Sequence, residues 1–182
     1  MEKFLLHVCC APCSIVVIDE LKNQFDLTVI FYNPNIFPET EYLKRKFEVI
    51  KICGEWGIMM IDHDYEAEKW YQQVAKGLKD EKEGGERCVL CFRFRLAKVA
   101  EYAFKNNFKI FGSTLTSGRN KKAEVVHPIG QEFANYYKIK FHDVDWKKGG
   151  RQERGRKMIV GRGIYRQDYC GCAYSMRNKV ED

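Results

Sequence analysis

The chain has 182 residues, 45% of them hydrophobic, and Lys+Arg 31 against Asp+Glu 25 give it a net charge of +6. That length suits one domain with a sizeable core, spanning residues 1–182, and apart from the two ends the composition is not that of a disordered chain. The apolar stretch behind Met1 is broken by His7 and is too short for a signal or a membrane span, so a cytoplasmic protein without membrane attachment is expected. In that compartment the eight cysteines point to metal or redox chemistry rather than a disulfide framework.

Residues 4–8 read as a buried strand of a parallel sheet. The strand runs into Cys9-Cys10-Ala11-Pro12-Cys13, three thiols in five positions, and Pro12 suits the first turn of a helix that continues to residue 21. Cys13 then sits at a helix N-terminus, where the dipole and free amides favour its thiolate. Residues 27–32 form a second strand, closed by Asn33-Pro34-Asn35, which completes a right-handed β-α-β unit. Residues 41–56 form the next helix, with Leu43, Phe47, Ile50 and Gly54 at helical spacing. Cys53, beside Val49 and Trp56 on an adjacent row, reads as a packed core thiol outside the chemistry. Residues 58–61 form a third strand and Asp62-His63-Asp64 falls at its C-terminal end, the edge where open parallel sheets bind ligands. Asp64 is the preferred member if the site needs a carboxylate.

A helix over residues 66–78 and the acidic residues 80–83 lead to Gly84-Gly85 and then to Cys88-Val89-Leu90-Cys91. This second cysteine pair opens a helix over residues 92–106, whose apolar face is Phe92, Leu96, Val99, Ala100 and Ala103. Residues 109–115 are a fourth strand. The polar, basic loop after it carries Arg119, Lys121 and Lys122, which could hold a phosphate together with loop amides and hydroxyls. A helix over residues 129–137 and a strand over residues 140–146 precede residues 147–166, where eight basic residues, the last of them Arg166, stand against one acid. That segment points to a polyanionic partner. Alternating strands and helices give a three-layer α/β sandwich with a mainly parallel sheet and all three cysteine clusters on one side.

Setting Cys53 aside leaves seven cysteines, three more than one four-thiolate site needs. Four thiolates suit a structural zinc or a 4Fe-4S cluster, but zinc has no redox use for the surplus, which favours the cluster. Cys170-Gly171-Cys172 could close a small strained disulfide ring suited to electron exchange, or supply two more ligands; spacing leaves both open.

Taken together, residues 7–14, Tyr32-Asn33-Pro34-Asn35-Ile36, Glu83-Gly84-Gly85-Glu86-Arg87-Cys88 with Cys91, Thr114-Leu115-Thr116, and Tyr165-Arg166-Gln167-Asp168-Tyr169-Cys170-Gly171-Cys172 resemble the cobalamin-independent epoxyqueuosine reductases over nearly the whole chain. The resemblance implies a Rossmann-like fold related to the adenine-nucleotide hydrolases, and reduction of epoxyqueuosine in tRNA to queuosine with electrons from an unidentified donor. It places a 4Fe-4S cluster on Cys9, Cys10, Cys88 and Cys91 and a redox-active pair at Cys170 and Cys172. A further metal ion beside the cluster, an additional mononuclear iron, has Cys13 and Asp64 as candidate ligands. Arg119, Lys121, Lys122 and Arg166 become candidate substrate contacts, and Asp64, Asp168 and Tyr169 candidate proton sources. The alternatives are an iron-sulfur tRNA sulfur transferase, which lacks support in a Ser-Gly-Gly-x-Asp-Ser loop after the first strand, and a zinc-stabilised RNA-binding domain.

Overall fold

A computed structural model describes residues 1–176. Its first strand, β1 (Lys3–Val8), is buried at every position after Lys3, because its apolar run has a face for each of two layers. Phe4, Leu6 and Val8 point to one side and Leu5 to the other. Each such Leu or Phe taken fully out of water contributes roughly 2 kcal/mol. β2 (Asp26–Phe31) and β4 (Ile110–Ser113) flank β1, and β3 (Met59–Asp62) and β5 (Lys140–His142) form the edges. The order is β3-β2-β1-β4-β5 and every pairing is parallel. The three-layer, Rossmann-like α/β sandwich expected from the sequence is the architecture found.

Helices α1 (Ala11–Leu21), α2 (Glu39–Glu55) and α6 (Arg151–Gly161) cover the Phe4 face, through Ile15, Val49 and Ile159 among others. Helices α4 (Glu86–Lys105) and α5 (Ala123–Tyr137) cover the Leu5 face through Val99, Ala100, Ala103 and Ala134. The chain winds from β1 out to β3, then crosses to β4 on the other side of β1. The winding therefore reverses between β1 and β4, and the crevice beyond their C-terminal ends is the expected ligand position of such a sheet. Cys9, Cys10 and Cys13 follow β1 directly into that crevice.

Several boundaries differ from expectation. The helix expected over residues 66–78 is a single turn, α3 (Ala67–Trp70), running into a π-helical turn at Tyr71–Ala75. Trp70, Val74 and Ala75 pack there with Cys91 and Cys172, so contact with the thiol region replaces helical continuity. On α2 the row Leu43, Phe47 and Ile50 is half exposed, at 48%, 56% and 45%. The buried row is Tyr42, Arg45, Val49, Ile52 and Cys53, equally periodic but disguised by a charged member. α5 begins at Ala123 and carries Pro128 in its interior, where a helix start was expected. β5 is three residues long, because Trp146 turns back from the sheet to bond the Thr116 hydroxyl with its amide (3.2 Å) and the Ser113 carbonyl with its indole (3.0 Å). Cys53 is a core thiol, 2% exposed and pushed up to about 11 by burial.

Candidate metal centre

β1 delivers its thiols through a histidine with no freedom of its own. His7 is fully buried, and its Nε2–H donates to the Tyr32 carbonyl (3.0 Å) while the Ser113 hydroxyl donates to Nδ1 (2.8 Å). Burial and the neighbouring Arg95 guanidinium hold it neutral, with its pKa lowered to about 3. Past His7 the chain is extended at Cys10, which caps α1, and Pro12 occupies the first turn without losing a bond. The Ser14 hydroxyl donates to the Cys10 carbonyl (2.7 Å).

The Sγ atoms of Cys9, Cys10 and Cys13 lie within 4.8 Å of one another, and those of Cys9 and Cys10 are 3.8 Å apart. Hydrogen bonds from Cys10 and Cys13 pull the Cys9 thiol well below its ordinary value against its burial, with Lys121 and Arg95 assisting. Cys10 is pushed up to about 12: its contact with Cys13 acts the other way, but its contact with Cys9 and its burial outweigh that. Cys13 is pushed up by Cys10, Cys9 and burial. Within the group these shifts favour the thiolate on Cys9. The Gln167 amide also donates to Cys10 Sγ (2.9 Å).

A second group of thiols faces the first. Cys88 and Cys91 lie one turn apart at the start of α4, and with Cys170 and Cys172 they line a cavity of about 20 Å³ that also touches Trp70, Arg87 and Arg95. The Gly84 amide donates to Cys88 Sγ (3.2 Å). Burial raises Cys88, and raises Cys91 to about 11. Around the same cavity Nε and Nη2 of Arg87 and Nε of Arg95 are buried without a partner, while the Trp70 indole N–H is turned to the Cys91 thiol. Buried donors are ordinarily satisfied, so these orphaned guanidinium donors beside thiols suit an anionic group held there. A thiolate-ligated iron-sulfur cluster, negative at its sulfurs and held by soft ligands, fits this donor set.

Lys121 joins the two groups. It is 7% exposed, and although burial works against its ammonium, Cys170, Cys9 and Cys13 hold the charge firmly in place. It faces thiols, whereas Arg119, Lys122 and Arg166 are exposed. Asp64 is also exposed, and no carboxylate among the described residues joins the three-thiol group. The reason is topological, since Asp62 pairs with Phe31 and Phe31 with Val8, which puts that strand end two strands, roughly 10 Å, from β1. Asp168 is exposed, and the Tyr169 hydroxyl donates to the Phe37 carbonyl.

Sequence reasoning missed the arginines. Arg45, Arg87 and Arg95 are each 1% exposed and all three border the thiols. Arg45 had a signal in its spacing from Glu41, four residues earlier on one helix face. Arg95 had none.

A family model described as "Epoxyqueuosine reductase QueH" matches residues 4–178. The chain is 43% identical over 179 residues to an epoxyqueuosine reductase of Histophilus somni, covering 97% of this chain and 73% of that protein. It is 41% identical to one from Acinetobacter baylyi, covering 97% and 82% respectively. To one from Thermotoga maritima it is 36% identical over 184 residues, covering 100% and 94%.

Proposed function

We propose, from the premise that this chain belongs to the epoxyqueuosine reductase QueH family, how its thiols divide the work of that reduction. It is an oxidoreductase that reduces epoxyqueuosine in tRNA. Neither the sulfur transferase nor the zinc-stabilised RNA-binding domain is favoured beside that membership. Action on tRNA also supports a cytoplasmic location, and no helix among the described residues is long and apolar enough to cross a membrane.

Converting an epoxide to an alkene takes two electrons and two protons and releases the oxygen as water. Oxidation of Cys170 and Cys172 from dithiol to disulfide supplies both: two S–H bonds break, one S–S bond forms, and an external donor of unidentified nature restores the thiols. Cys9, Cys10, Cys88 and Cys91 would hold a 4Fe-4S cluster, which supplies one-electron transfer when bound. Cys13 would be the chain's remaining thiol for a mononuclear iron beside it, and Asp64 stays the candidate carboxylate for that ion. The observation that supports this reading best is the arrangement itself: seven thiols in two facing groups at the sheet's switch point, ringed by buried cations and orphaned donors.

Anaerobic purification tests it. The protein should be brown, absorb broadly near 400 nm, and contain about four irons or more per chain. Alanine at Cys9, Cys10, Cys88 or Cys91 should remove the cluster, whereas Cys53→Ala should keep it. Colourless protein carrying one zinc would overturn the cluster.

A further inference from the structure

Three successive carbonyls carry the Cys170-Gly171-Cys172 segment into the site, and all three are gripped from the start of α2 and the loop before it. Arg45 Nη2 donates to the Tyr169 carbonyl (3.3 Å), Arg45 Nη1 to the Cys170 carbonyl (2.8 Å), and the Phe37 amide to the Gly171 carbonyl (2.8 Å). The Arg45 guanidinium also lies 5.0 Å from the centre of the Tyr169 ring. From these contacts we infer that Arg45, fixed in turn by Glu41 and Tyr165, is the positioning residue that sets the Cys170 thiol within the site; this rests on the reading of Cys170 and Cys172 as the redox pair.

A guanidinium that is 1% exposed needs a counterion and an acceptor for nearly every donor. Glu41 Oε1 accepts from Arg45 Nε (2.7 Å), and Glu41 Oε2 accepts from the Tyr165 hydroxyl (2.9 Å). Tyr165, Glu41 and Arg45 therefore form one chain of bonds whose far end is the thiol-bearing loop. Arg45 spends its remaining bonds on that loop, at the residues on either side of the Cys170 peptide. The planar fork fixes two carbonyls at once, which a lysine ammonium cannot reproduce. The same segment also reaches the first thiol group, where the Gln167 amide donates to Cys10 Sγ (2.9 Å), so the loop that Arg45 grips lies against those thiols.

The test uses Arg45→Met and Arg45→Lys, purified anaerobically with iron content measured. Two quantities are read: the alkylation rate of Cys170 in the folded, reduced protein, by peptide mass spectrometry against wild type at equal iron content, and kcat and KM with tRNA containing epoxyqueuosine. Arg45→Met should alkylate Cys170 several-fold faster than wild type at equal iron content. Its kcat should fall roughly 10- to 100-fold with KM little changed, since misplacement of about 1 Å suffices for such a loss. Arg45→Lys should fall between wild type and Arg45→Met in both readouts. An unchanged Cys170 alkylation rate, or a raised KM at normal kcat, overturns the assignment. Should both variants fail to fold, Tyr165→Phe removes only the hydroxyl that steadies Glu41, and it must shift Cys170 alkylation and kcat in the same directions to a smaller extent; an unchanged rate there overturns the proposal equally. Normal turnover by Cys170→Ser would instead refute the redox pair, while the alkylation result would still decide whether Arg45 holds the loop.

Discussion

At Gly171 the backbone sits at φ +152, where L side chains rarely go, and an added Cβ would lie 3.1 Å from Asn35 Nδ2, 3.2 Å from Ile36 Cγ1 and 3.3 Å from Arg45 Nη1. Gly171→Ala should therefore cost roughly 1–3 kcal/mol of stability and displace the loop. Turnover should be lost at unchanged iron content; parallel loss of iron would make Cys170 or Cys172 a ligand. His7 yields a pH prediction. Its folded pKa is lowered to about 3 from 6.5, so below about pH 6.5 the unfolded chain takes up a proton that the folded chain refuses. The stability this contributes is present above that pH and is lost as pH falls towards 3, by up to about 1.4 kcal/mol per unit. Urea unfolding of the metal-free protein, compared with His7→Gln across that window, should show the slope reduced by one proton in the variant. Equal slopes would mean that His7 is protonated in the folded state.

Among the elements, α5 offers a sharp packing test. A Cβ on Gly130 would fall 2.4 Å from the Phe141 ring, which admits the helix against β5 only because no side chain stands between them. Gly130→Ala should cost about 1–3 kcal/mol by overpacking, whereas Gly54→Ala on α2, with nothing within 4 Å, should be neutral or stabilising by up to about 1 kcal/mol. Urea midpoints decide between them, and equal midpoints would refute the packing argument. The same physics explains what was legible in the sequence. β1 was legible because a strand buried on both faces is a continuous apolar run, and the α1 start because Pro12 follows a strand end. The inward face of α2 was not, since Arg45 and Glu41 look like surface residues until their bonds to each other and to the 169–171 carbonyls are seen. Cysteine spacing singled out the seven candidate thiols and left Cys53 to the core, where it lies. It does not report that Cys13 joins Cys9 and Cys10, or that Cys170 and Cys172 share a cavity with Cys88 and Cys91, because that pairing depends on strand order. The π-helical turn had no periodic signature at all.

For the whole molecule, the basic character counted along the chain is not the charge presented to RNA. Arg151 and Arg154 bond Glu20 at 2.7 Å and 3.2 Å, Arg162 pairs with Glu55, Lys157 with Glu153, and Lys121 faces thiols. Arg151, Arg154 and Arg162 are thus engaged in holding α6 against α1 and α2, and Lys157 in a pair within α6 itself. Arg119, Lys122, Lys148, Arg156 and Arg166 are exposed and form no ion pair with a described residue, so they are among the cations able to release counterions from a phosphate backbone. Binding of tRNA should weaken steeply with salt. Replacing Arg119, Lys122 and Arg166 by Gln should flatten the plot of log affinity against log salt by about one unit per lost contact. Arg151→Gln should leave that slope unchanged and instead lower the melting temperature, because its two bonds to Glu20 tie α6 to α1. The reverse pattern, an altered slope from Arg151→Gln and none from the three exposed residues, would place the RNA on the ion-paired face of α6 and remove the loop after β4 from the interface.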